Sequence, residues 1–168
     1  LAAPAWAVVD GKPWELAGPL RWQRVQLGEG VSMQVPSLVA DAARRIERPA
    51  GHEIVFGDLL RDAMVIGVVL GPGAGGNEWE QIRAMREASI PEGLTRRGAL
   101  EEIEVDGLPT LHDVLEAPSG IVMHRYLQRR TEISVSLELV LWPRLPPELR
   151  FEPRRLIGAL GDRQPDSG

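Results

Sequence analysis

The chain has 168 residues, 43% of them hydrophobic and 26% charged, with a net charge of −5, values that suit one globular domain with a substantial core. The acidic balance argues against nucleic acid as the main partner, because phosphate binding needs concentrated positive charge. The absence of cysteine excludes disulfides, thiolate catalysis and cysteine-ligated zinc, and no apolar run reaches the length of a membrane span.

Residues 1–20 are rich in Ala, Pro and Gly and read as an irregular arm whose large side chains are Trp6 and Trp14. Within it, Ala5-Trp6-Ala7 has the small-x-small form of a signal-peptide cleavage site, which points to an exported, periplasmic protein, with a cytoplasmic one as the alternative. Arg21–Leu27 and Val31–Val35 alternate around Gly28-Glu29-Gly30, predicting an opening hairpin that ends at Pro36. Ser37 is placed to cap a short helix through Arg45, stopped by Arg48-Pro49-Ala50-Gly51. Glu53–Phe56 reads as a short strand, and the apolar Met64–Leu70 as a central strand covered on both faces.

A helix is predicted from Asn77 to about Ser89. Asn77 suits the N-cap, Glu80 stands at the capping-box position, and Trp79, Ile82 and Met85 form the expected buried stripe. Ile103 and Val105 alternate with Glu102 and Glu104 up to an Asp106-Gly107 turn, and Leu108–Glu116 reads as a further extended segment. Ile121–Leu127 then pairs with the clearest strand in the chain. There Ile133, Val135, Leu137, Leu139 and Leu141 alternate with Ser134, Ser136 and Glu138, giving one dry face and one wet face. A sheet with one solvated face is usually antiparallel and needs helices over its dry face. Pro143–Pro147 is a stiff connection, Pro153 opens a short helix carrying Leu156, Ile157 and Leu160, and Asp162 begins a polar tail.

The expected fold is therefore α+β: a curved antiparallel sheet of about six strands backed by two or three helices. The arm covers residues 1–20, one domain covers 21–162, and a loose tail covers 163–168.

Several patterns invite a chemical reading. Gly71-Pro72-Gly73-Ala74-Gly75-Gly76 matches G-x-G-x-x-G between a strand and a helix, as a dinucleotide site requires. In such sites, however, the helix begins within the glycines. Here the capping signal falls beyond them at Asn77, and Glu78 and Glu80 would repel phosphate. His52, His112 and His124 show no metal-ligand spacing. If the sheet brought His112 and His124 together, they would make a weak metal or proton site. Ser119-Gly120 lacks the flanking glycine of a nucleophile elbow, and Glu101, Glu102, Glu104 and Asp106 read as a wet strand face. The expectation is no enzyme activity, no catalytic residue, no cofactor and no metal site. Pro143-Arg144-Leu145-Pro146 matches P-x-x-P but reads as a connector. Trp142 beside Arg144 makes an aromatic–cation spot, so Trp6, Trp14, Trp142 and Arg144 are the candidate partner-binding residues.

The order of elements resembles a known family. The opening hairpin ends in Val31-Ser-Met-Gln-Val-Pro36, the apolar Met64–Leu70 strand precedes the Trp79 helix, Val105-Asp-Gly-Leu-Pro109 forms a small turn, and a closing helix is headed by Phe151 and Pro153. This resembles the Mog1/PsbP-like fold, which includes DcrB-like domains and many bacterial envelope lipoproteins, over about residues 20–162. The resemblance implies a curved antiparallel sheet backed by helices and a non-enzymatic role as an assembly factor, adaptor or chaperone on a larger complex, with a protein partner that is part of a membrane-associated assembly. It carries over no catalytic residues. Envelope members often have a lipidated cysteine near the start, and this chain has none, which speaks against a lipid anchor. The alternatives are a carrier of a small apolar ligand held between sheet and helices, and an enzyme of unrecognised type.

Overall fold

A computed structural model describes residues 21–28, 30–49, 51–58, 63–72, 79–130, 133–158 and 160, with two short strands nearer the N-terminus. Those two, β1 (Val8–Val9) and β2 (Lys12–Pro13), pair with each other. The predicted opening hairpin is present as β3 (Trp22–Gly28) and β4 (Val31–Pro36), a two-stranded unit of its own. There follow α1 (Ser37–Ala40), β5 (Ala43–Arg48), β6 (Gly51–Phe56), β7 (Met64–Pro72) and α2 (Trp79–Ala88). The second half contains β8 (Thr95–Arg96), β9 (Glu101–Val105), β10 (Leu108–Glu116), β11 (Val122–Arg129), β12 (Ile133–Leu141), a 3₁₀ turn at Pro147–Leu149 and α3 (Arg154–Gly158).

The main sheet is larger than expected. Its order is β5-β6-β7-β12-β11-β10, with β9 and β8 both running along the far side of β10, so eight strands replace the predicted six. Every neighbouring pair is antiparallel. The extra width comes partly from β5, where the sequence predicted a helix through Arg45. The helix is a single turn that ends at Ala40, with Pro36 at its N-cap and no side-chain cap, and the chain then re-enters the sheet. Its six β5 residues are all exposed, so they show neither strand alternation nor a helical stripe. A tight turn joins β9 to β10, where Asp106 (φ 51°) and Gly107 (φ 76°) both take the left-handed conformation of a type I′ hairpin.

Register decides which side chains share a face. Across β7, β12 and β11 the pairs Leu70–Val135–Gln128, Val68–Leu137–Tyr126, Ile66–Leu139–His124 and Met64–Leu141–Val122 lie side by side. This is the dry face, and Ile66, Val68, Val135, Leu137 and Leu139 on it are fully buried. The β3–β4 hairpin covers it with Leu27, Val31, Met33 and Val35, α1 adds Val39, and the C-terminal segment adds Leu145, Leu149, Leu156 and Ile157. The cover is therefore half strand and half helix. Burial of each such side chain contributes about 1.5–3 kcal/mol, which makes this layer the main source of stability.

The opposite face carries α2. The expected N-cap Asn77 lies outside the described residues, Glu80 stands in the first turn, and the predicted buried stripe does not form. No residue of α2 is buried, and Met85 is 66% exposed. The reason is the surface beneath: Ser136, Glu138 and Arg125 line that face of β12 and β11, so the helix is held by polar contacts instead. The predicted two-sided cover of β7 is likewise partial, since Val65 is buried but Val69 is 37% exposed.

Candidate binding surface

On the dry face, near one end of the sheet, the strands bring together two of the three histidines. His112 on β10 is the cross-strand partner of Tyr126 on β11, and His124 lies two residues along β11 on the same face. The His112 and Tyr126 rings stack with centroids 4.4 Å apart and planes 7° from parallel. Nε2 of His112 stands 3.5 Å from Nδ1 of His124, while the ring centres are 5.7 Å apart and the planes within 6° of parallel. The separation of the centres exceeds that of the nitrogens by nearly the full reach of both rings. The two imidazoles thus meet edge to edge and point their nitrogens at each other.

Burial disfavours the charged form of every group in this row. It lowers the His112 pKa against the opposing pull of Glu101 and Asp113. Burial, followed by the nearby His112, brings His124 down to about 4. Burial also pushes the Tyr126 hydroxyl up to about 12. At neutral pH the histidines are accordingly uncharged and offer lone pairs. Glu101, the cross-strand partner of His112 on the edge strand β9, is exposed on the same face, and Glu152 and Arg154 at the start of α3 complete the charged surroundings. Among the described residues no three histidine or carboxylate side chains converge as metal ligands. His52 plays a different part: it is buried on β6, and its Nε2–H donates to the carbonyl of Leu27 at 2.6 Å, tying the hairpin to the sheet.

Directly behind His112, on the other face, Asp113 organises a buried clamp. Its carboxylate accepts from Arg125 Nε at 2.8 Å and Nη2 at 2.5 Å, and from Arg96 Nε at 3.3 Å. Burial alone would raise its pKa, but the hydrogen bonds and charge of Arg125, and then of Arg96, outweigh it and hold the carboxyl below its ordinary value. Both arginines reach on to the C-terminal end of α2. Arg125 Nη1 donates to the Ser89 carbonyl at 2.5 Å and Arg96 Nη2 to the Glu87 carbonyl at 2.8 Å. Guanidinium groups at that end satisfy orphan carbonyls and complement the helix dipole. From the helix, Arg86 donates to Ser136 at 3.0 Å, and Trp79 Nε1 and Arg83 both donate to Glu102.

The far edge of the sheet, β5, is bonded on one side to β6 and carries no partner strand on its outer side among the described residues. Arg45 pairs with Glu47 and Arg48 with Glu53. Ile46 is exposed here, and Val69 on β7 lies across Glu53 from it on the same face.

Of the residues predicted to bind a partner, Trp6 and Trp14 lie outside the described residues. Trp142 is half-buried, packs against the core, and donates its backbone N–H to the Ala63 carbonyl. The Arg144 guanidinium lies 5.8 Å from its ring centre. A closer aromatic–cation contact escaped the sequence reading: Arg155 stands 3.9 Å over Trp22, which also meets Phe151 edge to face. In the glycine run, Gly71 and Pro72 belong to β7, and residues 73–78 lie outside the described set.

No protein-family model matches the sequence, and no curated protein matches it. Solved structures do resemble the fold. A crystal structure from Bacteroides thetaiotaomicron VPI-5482 superposes with a TM-score of 0.52 at 12% identity, covering 84% of this chain and 48% of that one. This chain thus spans about half the length of that neighbour. The solution structure of the cyanobacterial PsbP of Synechocystis sp. PCC 6803 matches with a TM-score of 0.48 at 13% identity, covering 75% of this chain and 83% of that one.

Proposed function

We propose that the protein is a non-enzymatic binding or assembly module of the bacterial cell envelope, acting as a subunit or accessory factor of a larger complex through its sheet and loops. The observation that carries this reading is β5. It is a six-residue, wholly exposed outer strand of a wide sheet, and its outer side, which carries no partner strand among the described residues, offers a row of backbone donors and acceptors to an extended partner segment. Ile46 and Val69 beside it supply an apolar foothold next to the charged rim of Arg44, Arg45 and Arg48. The dry face, by contrast, is filled by side chains of the hairpin and the C-terminal segment, which favours gripping at an edge over enclosing an apolar ligand. Among the described residues no helix is long and apolar enough to cross a membrane; on this reading, contact with a membrane-associated complex goes through a protein partner.

A photo-crosslinking residue placed at Ile46, and for comparison at Met85 on the exposed side of α2, tests the reading in an envelope extract of the native organism. A discrete adduct from position 46 that is absent from position 85 is expected. Identical labelling from both positions, or none from either, would remove β5 from the account. Turnover of a substrate by the purified chain would overturn the non-enzymatic reading.

A further inference from the structure

We propose that His112 and His124 together bind a single divalent transition-metal ion through His112 Nε2 and His124 Nδ1, with water completing the shell and the exposed Glu101 on β9 turning inward on binding to join them. This assignment is independent of the role proposed for β5. Three observations carry it.

The first is convergence. Two imidazole nitrogens from neighbouring strands face each other at 3.5 Å, held at diagonal positions of a register that also fixes Tyr126 against one of the rings. With metal–nitrogen bonds of about 2.0–2.1 Å, that separation subtends roughly 115–120° at the metal, near the tetrahedral value that Zn²⁺ adopts. Each ring needs to swing by only about 30° for its lone pair to meet the ion, a motion along the soft terminal torsion of histidine.

The second is the setting. The pair is half-buried, with Tyr126, Val114 and Val122 as its register neighbours on the same face, so an ion held there is partly shielded from water. The charged groups that act on the pair are Glu101 on β9, Glu152 and Arg154 at α3, and Arg97, with Asp113 on the opposite face of β10. The third is the neighbouring carboxylate. Glu101 is the register partner of His112 on the same face, within side-chain reach of a cross-strand neighbour, and its exposure leaves it free to turn inward. Imidazole with one carboxylate suits Zn²⁺, Ni²⁺ and Cu²⁺ and discriminates against Mg²⁺ and Ca²⁺, which take oxygen ligands.

Calorimetric titration of the purified chain with ZnCl₂ and, separately, NiCl₂ at pH 7.5 decides the matter. One equivalent of metal is expected, with affinity that falls on acidification and no competing heat from MgCl₂. His112→Phe keeps the stack on Tyr126 but removes one ligand, and His124→Phe removes the other from a different strand. Each is expected to weaken binding by at least the roughly 10–100-fold that losing a supporting group costs, while Glu101→Gln causes a smaller loss. Far-UV circular dichroism shows whether each variant remains folded. A wild-type chain that takes up no metal, or one whose stoichiometry and affinity survive both histidine substitutions, would overturn the assignment.

Discussion

Asp113 and Arg125 form a two-point ion pair between adjacent strands, with side chains only 0% and 3% exposed, and the same guanidinium carries on to a carbonyl at the end of α2. One buried carboxylate thereby sets the position of a helix that has no buried side chain of its own.

Asp113→Asn is expected to cost about 3–5 kcal/mol, because it leaves Arg125 buried without a counter-charge. Urea unfolding followed by circular dichroism reads this as a lower midpoint. The double replacement Asp113→Leu with Arg125→Met removes both charges and is expected to recover much of the loss. A double variant as unstable as the single one would show that the clamp does more than balance its own charge.

The histidine pair gives the fold an acid-sensitive side. Burial lowers the pKa of both His112 and His124 in the folded chain, His124 to about 4, below the ordinary value near 6.5 that holds in the unfolded chain. The unfolded chain therefore binds more protons between these values, and stability rises with pH. The contribution is complete above about pH 6.5 and is lost as pH falls toward 4, by roughly 1–2 kcal/mol after allowance for partial exposure. Unfolding midpoints measured from pH 7.5 down to 4.5 should fall for the wild type, and His124→Phe should flatten the slope.

Side chains on the two layers should respond differently to substitution. Leu137 is fully buried in the dry face, and Leu137→Ala is expected to cost about 2–5 kcal/mol. Met85 looks outward from α2, and Met85→Glu should stay within about 0.5 kcal/mol of the wild type. Thermal melts of the two variants make the comparison directly.

The charges along β5 line an edge that has no partner strand among the described residues. Replacing Arg44 and Arg45 with valine should leave thermal stability nearly unchanged, since the Arg45–Glu47 pair is exposed and such pairs contribute about 0–1 kcal/mol. The same change should promote concentration-dependent self-association, visible by light scattering. A variant that stays monomeric at high concentration would mean that the edge is protected by something other than charge.

The strands were legible wherever one face is dry. Ile133–Leu141 alternates because β12 lies between buried neighbours, and its register with β7 and β11 follows from that alternation. β5 was not legible, because a strand exposed on both faces carries no periodic signal. The Trp79–Ile82–Met85 spacing was correctly helical, but spacing cannot report that the surface beneath is charged. His112 and His124 were visible only as isolated residues. Their meeting depends on the offset of the β10–β11 hairpin, in which Val114 faces His124 and His112 faces Tyr126. Asp113 was overshadowed by the neighbouring histidine, and no pattern links it to Arg96 and Arg125.

The central pairing of the sheet also has a cost in time. Met64 meets Leu141, 77 positions further on, so the apolar edge of β7 leaves the ribosome long before the strand that will cover it. At synthesis rates of about 5–20 residues per second, that interval lasts roughly 4–15 s. During it the newborn chain holds a greasy, half-satisfied ribbon in the company of other unfinished proteins.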